Sequence, residues 1–471
     1  MQSLNNSTQN NDQDIALIAA RLERLPFTRY QLSIFTIIAT AWFFDSIDLG
    51  SLTFVLGSIK TDLALTTTQA GLLSSMSFLG MFFGATVAGI SADRFGRKNV
   101  FQISMIIWGL GSILCAFAPN AFWLGITRLI LGFGMGMEFP VAQALIAEMV
   151  PALRRGKYIA ILEGFWPLGF ITAGVIALLV LPHGGLFSFF GQRGGWRDIF
   201  FIEGLPALLL FVARRFVPES PRWLASRGEI SQAYKVLENI EHNVQKLIKD
   251  ETLPSAENIT PNKLNHVRFR VAFFELWHGI YLKRTIMIWL LWFFAMLGYY
   301  GLTTWLTTIM QQSGYGVTKS VYYTILISFG GIPGFITAAW LLEAAGRRIT
   351  TTGFVAASAV FAYLYGTAGN ETLLVLYGLG MQFCFFGMWS VIYAYTPELY
   401  PTRVRATGAG CASSVGRIGA LLGPSIVGYL LPLYGQVGVF MFGAGAFLSA
   451  AIVVITLGVE TKGETLENIA P

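Results

Sequence analysis

The sequence predicts an all-α membrane protein with twelve transmembrane helices arranged as two six-helix lobes. Composition is the first observation behind this. Of 471 residues, 54% are hydrophobic and only 12% are charged, and the mean hydropathy is +0.59. A soluble domain carries about 25% charged residues. This chain therefore cannot cover a water-facing surface and takes the bilayer as its solvent. The second observation is twelve apolar runs, each close to the roughly 20 residues that a membrane helix needs. The third is an internal repeat. Asp93-Arg94-Phe95-Gly96-Arg97-Lys98 and Glu343-Ala344-Ala345-Gly346-Arg347-Arg348 both read acid-x-x-Gly-Arg-basic. Glu148-Met149-Val150-Pro151-Ala152-Leu153-Arg154-Arg155-Gly156 and Glu398-Leu399-Tyr400-Pro401-Thr402-Arg403-Val404-Arg405-Ala406 both read Glu-x-x-Pro-x-x-x-Arg-small. Both pairs are offset by 250 residues (93 to 343, 148 to 398). Two matches at one offset mark a tandem duplication, which in a membrane chain points to a transporter.

The elements follow in chain order. Residues 1–29 are mostly polar and lack the basic, apolar, small-residue order of a cleaved signal peptide. They read as a cytoplasmic tail with a short amphipathic helix from Asp14 to Leu25. Apolar runs at 30–57, 68–92, 99–118, 121–149, 156–181 and 197–216 make the first lobe, 30–216. Residues 217–283 form the one long polar connection, with an amphipathic stretch from Ile230 to Ile248. About 60 residues with few apolar positions bury little core, so this is a cytoplasmic linker with surface helices. Runs at 284–311, 320–343, 350–367, 372–396, 402–431 and 437–458 make the second lobe, 284–458, and 459–471 is a cytoplasmic tail. Several runs exceed the minimum length, which fits tilt or kinks at their internal Gly and Pro. Gly132, Gly134 and Gly136 in the fourth run, and Gly408, Gly410, Gly416 and Gly419 in the eleventh, let helices approach closely.

Lys and Arg in the short loops set the orientation. With the N-terminus inside, the inner loops hold Arg94, Arg97, Lys98, Arg154, Arg155, Lys157, Arg347, Arg348, Arg403 and Arg405. The outer loops hold only Lys60, Arg193, Arg197 and Lys319. Both termini are then cytoplasmic, in a multi-pass plasma-membrane protein that works as a monomer.

The net charge of +6 sits at the ends of apolar runs, where topology requires it, and not on a basic-aromatic surface. No nucleic-acid partner is expected. Cys115, Cys384 and Cys411 fall inside apolar runs without ligand spacing and read as packing residues, with no disulfide and no metal site. His183, His242, His266 and His278 lie outside every run and form no spaced pair, so no enzyme is indicated. There is no Gly-Lys-Ser/Thr phosphate loop, so ATP drive is not expected. No cofactor is expected.

At this point the motifs resemble the major facilitator superfamily. Asp93-Arg94-x-Gly96-Arg97-Lys98 matches its loop between the second and third spans, and Arg128 to Gly136 is similar to its fourth-span motif. Pro218-Glu219-Ser220-Pro221-Arg222 and Glu460-Thr461-Lys462-Gly463 look like the markers after the sixth and twelfth spans in sugar porters and organic-ion transporters. Within the superfamily the chain most resembles the bacterial niacin (nicotinate) transporters, relatives of animal organic cation and anion transporters. Trp42 to Gly50, Leu162 to Trp166, Tyr393 to Glu398 and Gly416 to Gly419 carry this resemblance. The loop Ser58 to Thr67 is short, unlike the large cysteine-bearing loop of the animal relatives, which implies a bacterial inner-membrane protein.

The chemistry of the candidate residues follows. Asp93, Arg94, Arg97, Glu148, Arg154, Arg155, Glu343, Arg347, Glu398, Arg403 and Arg405 cluster at the cytoplasmic ends of spans. Such residues can form ion pairs between the lobes when that side is closed, and the resemblance implies the same gate. Exposed pairs are worth about 0–1 kcal/mol each, which suits a switch that must not lock. Ionisable residues inside spans are functional by default. Arg417 lies mid-span and offers a carboxylate a bidentate partner; an internal partner such as Glu138 is the alternative. Asp45 and Asp48 are three apart and share a helix face. Asp45, Asp48, Glu138 and Glu163 are each candidates for proton coupling or for a fixed pair, and uniport and proton symport both stay open. Trp166, Tyr299, Tyr300, Trp305, Trp389 and Tyr393 supply a wall for a small aromatic ring. Trp123 and Trp196, at run ends, read as lipid-interface belts.

The expected function is transport of a small aromatic monocarboxylate, nicotinate first, by alternating access. Arg417 would hold the carboxylate and the Trp/Tyr wall the ring. The alternatives are an organic cation, with Asp45 or Glu138 as counter-charge, or a sugar-like metabolite.

Overall fold

The computed structural model describes residues 2–187, 195–205, 216–248, 253, 269–401 and 404–462; of 2–12, 152–157, 159–160, 269–270, 272 and 406 it describes the backbone alone. The first part of the chain forms α1 (Gln2–Glu23), α2 (Arg29–Asp62), α3 (Thr67–Phe95), α4 (Arg97–Ala116), α5 (Ala121–Met149), α6 (Ala152–Val180) and α7 (Trp196–Gly204). The connection holds α8 (Pro221–Ser226), α9 (Ile230–Ile248) and α10 (Phe269–Glu275). The second part forms α11 (Gly279–Thr303), α12 (Leu306–Gln312), α13 (Val317–Ser328), α14 (Gly331–Ala345), α15 (Arg347–Gly366), α16 (Glu371–Glu398) and α17 (Arg405–Leu457).

Among the described residues, 10 helical stretches are long and apolar enough to cross a membrane. One of them, α17, is 53 residues long, and Gly435 (φ 63°, ψ −165°) breaks it into two spans that match the eleventh and twelfth apolar runs. α7 is the described part of the sixth run, so the described helices fall in all twelve apolar runs. The boundaries differ from the hydropathy reading. α2 reaches Asp62 because polar Lys60 and Asp62 continue the helix beyond the apolar stretch. The seventh run breaks between α11 and α12, and the eighth between α13 and α14.

Local signals explain where the spans start. α2 and α3 open on capping boxes, Thr28 with Gln31 and Thr66 with Gln69. α5 and α16 open on Asn120 and Asn370, whose side chains accept from the backbone N–H of Trp123 and Leu373. The two asparagines are themselves 250 residues apart (120 to 370), so the duplication extends to the helix caps.

The glycines of the repeated loop have a strict role. Gly96 and Gly346 carry φ of +94° and +91°, a region that favours glycine. A Cβ on Gly96 would lie 2.2 Å from Glu219 Oε2, and one on Gly346 2.6 Å from Glu460 Oε2. These carboxylates cap the following helices: Glu219 accepts from the N–H of Arg97 (3.0 Å) and Lys98 (3.2 Å), and Glu460 from the N–H of Arg347 (2.7 Å) and Arg348 (3.1 Å).

α1 is longer than the amphipathic stretch read from the sequence. It buries Ile18 and Leu22 in one cluster with Leu237, Ile240 and Val244 of α9 and with Ile34 and Ile38 of α2. Arg21 and Arg24 pair with Glu241 at 2.5 and 2.7 Å, and Arg222 pairs with Glu23 at 2.5 Å.

Candidate functional site

The two parts of the chain touch closely at one end of the bundle. Ser75 of α3 donates to Leu421 O of α17 at 2.6 Å and meets Ser425 Oγ at 2.7 Å. Glycines make this approach possible: a Cβ on Gly71 would lie 2.7 Å from Pro424 O, and one on Gly428 2.9 Å from Thr67 O. Trp305 seals the same end, with its indole N–H donating to Pro424 O at 3.1 Å.

At the opposite end, which carries the Asp93 and Glu343 loops, the ion pairs stay within each half. Arg97 meets Asp93 at 2.8 Å and Glu148 at 3.4 Å. Arg347 meets Glu343 at 3.3 Å and Glu398 at 3.1 Å. Among the described residues no ion pair joins the halves there. Arg94 lies over the Phe95 ring, and Arg405 donates to Tyr400 O at 3.3 Å. Arg403 lies outside the described residues, as do the side chains of Arg154 and Arg155.

Between these ends lies a cavity of about 470 Å³. Asp45 of α2 and Glu163 and Trp166 of α6 line its first-half wall; Tyr300, Trp389, Tyr393 and Arg417 line the other. It runs out to Glu343 and Arg347 at the motif end, where the Glu343 side chain is 77% exposed. The cavity is thus closed at the Gly71–Gly428 end and open at the motif end.

Arg417 faces Tyr300 and Tyr393, and no carboxylate among the described residues bonds it. The aromatic wall combines edge-to-face and tilted ring contacts. Tyr393 and Trp389 both pack on Trp292, with ring centroids 5.2 and 5.8 Å apart. Trp292 is itself fixed by donating to Thr396 Oγ1 at 2.9 Å. Across the cavity Trp166 lies 5.2 Å from Trp42. These rings offer flat apolar faces beside the Arg417 guanidinium, a setting for a small anionic ring.

The family model described as sugar (and other) transporter matches residues 14–471. The chain belongs to this transporter family. A niacin transporter of Acinetobacter baylyi is 38% identical over 453 residues, spanning 96% of this chain and 99% of that protein. A 4-hydroxybenzoate transporter of the same organism is 30% identical, over 88% of this chain and 87% of that protein. The xylose transporter of E. coli, in a partially occluded inward-open conformation, superposes with a TM-score of 0.73 at 19% identity, over 93% of this chain and all of that one. That likeness shows the major facilitator fold, and the family makes the chain a multi-pass membrane transporter and not an enzyme.

Within this family framework several expected positions are corrected. Trp305 lies outside the cavity, fully buried at the sealed end. Tyr299 stands behind the wall, its ring 5.0 Å from that of Tyr300, and lines a separate small void of about 20 Å³. Glu138 does not line the cavity and does not pair with Arg417; it accepts from the Trp108 indole at 2.6 Å. Asp45 and Asp48 part company: Asp45 faces the cavity, while Asp48 accepts from Arg128 at 3.1 Å, both of them buried. α2 packs against several neighbours at once, so a three-residue step is enough to change partner. Trp196 is no lipid belt, being fully buried and donating to Asp62 at 3.1 Å; Trp123 is half-exposed.

The structure also adds lining residues that the sequence reading missed. Trp42 lines the cavity with Asp45, three residues on, and Ser413 with Arg417, four residues on. Helical spacing from Asp45 and Arg417 was the available signal.

Proposed function

We propose that this transporter carries a small aromatic monocarboxylate, nicotinate first, by rocking its two halves about the central cavity. The observation that carries this reading is Arg417, a cation with no carboxylate partner among the described residues, set in a Trp/Tyr-walled cavity. A guanidinium in such a place gains from an incoming carboxylate what its own fold withholds. The similar transporters support the choice: niacin and 4-hydroxybenzoate are both single rings with one carboxylate. The lobes are 30–216 and 284–458, joined by the linker 217–283. The motif end is cytoplasmic, both termini lie there, and the protein works as a monomer in the plasma membrane. In the opposite state, Asp93, Glu343 and their basic neighbours meet across the halves and the Gly71–Gly428 contact parts.

One observation favours a second reading. Asp45 and Glu163 also line the cavity, and acids suit an organic cation. Uptake into proteoliposomes of radiolabelled nicotinate, nicotinamide and a quaternary amine, with and without a proton gradient, separates the two. Nicotinate is expected to accumulate above both others. Preferential uptake of the amine would replace this reading with the cation.

A further inference from the structure

The cavity's first-half wall has a property that carboxylate binding does not use. Trp42, Asp45 and Glu163 all line it. Each keeps one buried polar atom, Trp42 Nε1, Asp45 Oδ1 and Glu163 Oε1, with no hydrogen-bond partner among the described residues. Buried polar groups are normally satisfied, so three open ones around one cavity call for an explanation. A purely apolar ring face would leave all three unpaired.

Glu163 is the best placed of the three. Gln143 is a side-chain hydrogen-bonding neighbour of its carboxyl group, and Oε1 has no partner among the described residues. It also shares two neighbours with Arg417, because both interact electrostatically with Tyr300 and Tyr393. The acid and the guanidinium thus flank the same pair of tyrosines from opposite halves.

We infer that this wall is a second recognition pole, which reads a polar ring atom of the substrate, with Glu163 as the specificity-determining contact. The substrate class narrows to rings that carry a carboxylate at one end and a hydrogen-bonding heteroatom, such as a pyridine nitrogen, away from it. A proton shared between Glu163 and the ring nitrogen completes the contact, and Trp42 and Asp45 border it. A site built to hydrogen-bond a substrate atom rejects the analogue that lacks it, because its own groups are then left unpaired.

The inference rests on the carboxylate reading of Arg417, and the test keeps the two apart. Binding of nicotinate and of benzoate, its near-isostere without the ring nitrogen, is measured on the wild type, Glu163→Leu, Glu163→Gln and Arg417→Ala, with thermal melting as a folding check. The wild type is expected to prefer nicotinate by about tenfold or more. Glu163→Leu should weaken nicotinate, leave benzoate unchanged and abolish the preference, while Glu163→Gln, which still offers an amide, keeps part of it. Arg417→Ala should weaken both ligands alike. Equal affinity of the wild type for the two acids overturns the second pole, whether or not any variant folds. So does a parallel loss of both ligands in Glu163→Leu. Failure of the wild type to bind either acid overturns the carboxylate reading itself, and the second pole with it.

Discussion

Glu460 accepts hydrogen bonds from the backbone of Arg347 and Arg348, and Glu219 does the same for Arg97 and Lys98. The glycine of each acid-x-x-Gly-Arg loop is what lets the carboxylate approach. Gly96→Ala would place a Cβ at positive φ and 2.2 Å from Glu219 Oε2. The expected cost is at least about 1–2 kcal/mol, read as a lower melting temperature in detergent. Gly89→Ala, where a Cβ meets nothing within 4 Å, serves as the control and should barely move the melting point.

The Asp93 side chain is 75% exposed, and among the described residues its carboxylate pairs with Arg97 of its own half. In the proposed gate, it finds partners across the halves when the motif end closes. Asp93→Asn should therefore favour the open motif end, and Glu343→Gln should do so less strongly. Cysteines placed beside Leu342 and Ala394 in the cavity should label faster in both variants. Unchanged labelling would remove these acids from the gate.

Arg128 and Asp48 form a fully buried pair, with the neighbouring Glu203 carboxylate accepting from Ser51. Removing one partner of such a pair strands the other charge and costs about 3–5 kcal/mol. Arg128→Ala should be among the least stable single variants, and Asp48→Asn added to it should recover part of the loss. Melting temperatures of the two variants check this.

Glu241 anchors α1 to α9. Burial pushes its carboxyl up, but the bonds from Arg21 and Arg24 outweigh it and hold the group below the usual carboxylate range. A carboxylate depressed in the folded state adds stability above its unfolded value, and that stability is lost as pH falls through the folded value. The α1–α9 contact should hold at neutral pH and loosen in acid below the ordinary glutamate range. Spin-label distances between α1 and α9, followed by titration, should show this in the wild type. In Glu241→Gln the same distances should not change with acidification.

Much of this molecule is legible in its sequence because the bilayer imposes one simple rule on composition, and the duplication states the topology twice. The repeated loops, the Asn120 and Asn370 caps and the break at Gly435 all follow from local chemistry. The cavity was legible only through its charged and aromatic members. Arg417, Tyr300, Trp389, Tyr393 and Trp166 meet there, but Trp305, Tyr299 and Glu138 do not. Mid-span position gives the depth of a residue, not its direction. Trp305 and Tyr300 are five residues apart, and the helix break between α11 and α12 turns them toward different neighbours. Glu138 and Asp48 found partners inside the first half, Trp108 and Arg128, that no spacing rule connects to them.

The most direct test of the account is binding of nicotinate and nicotinamide to the wild type, Arg417→Ala and Arg417→Lys. Losing a buried, hydrogen-bonded charge partner costs about 2–5 kcal/mol. Nicotinate affinity should then fall by about 30-fold to several thousand-fold in Arg417→Ala, at 1.4 kcal/mol per tenfold. Arg417→Lys keeps the charge without the planar fork and should recover only part of it. Uncharged nicotinamide should bind the wild type weakly and hardly respond to either change. Equal losses for both ligands, or an Arg417→Ala protein that still binds nicotinate as the wild type does, would contradict Arg417 as the carboxylate's partner.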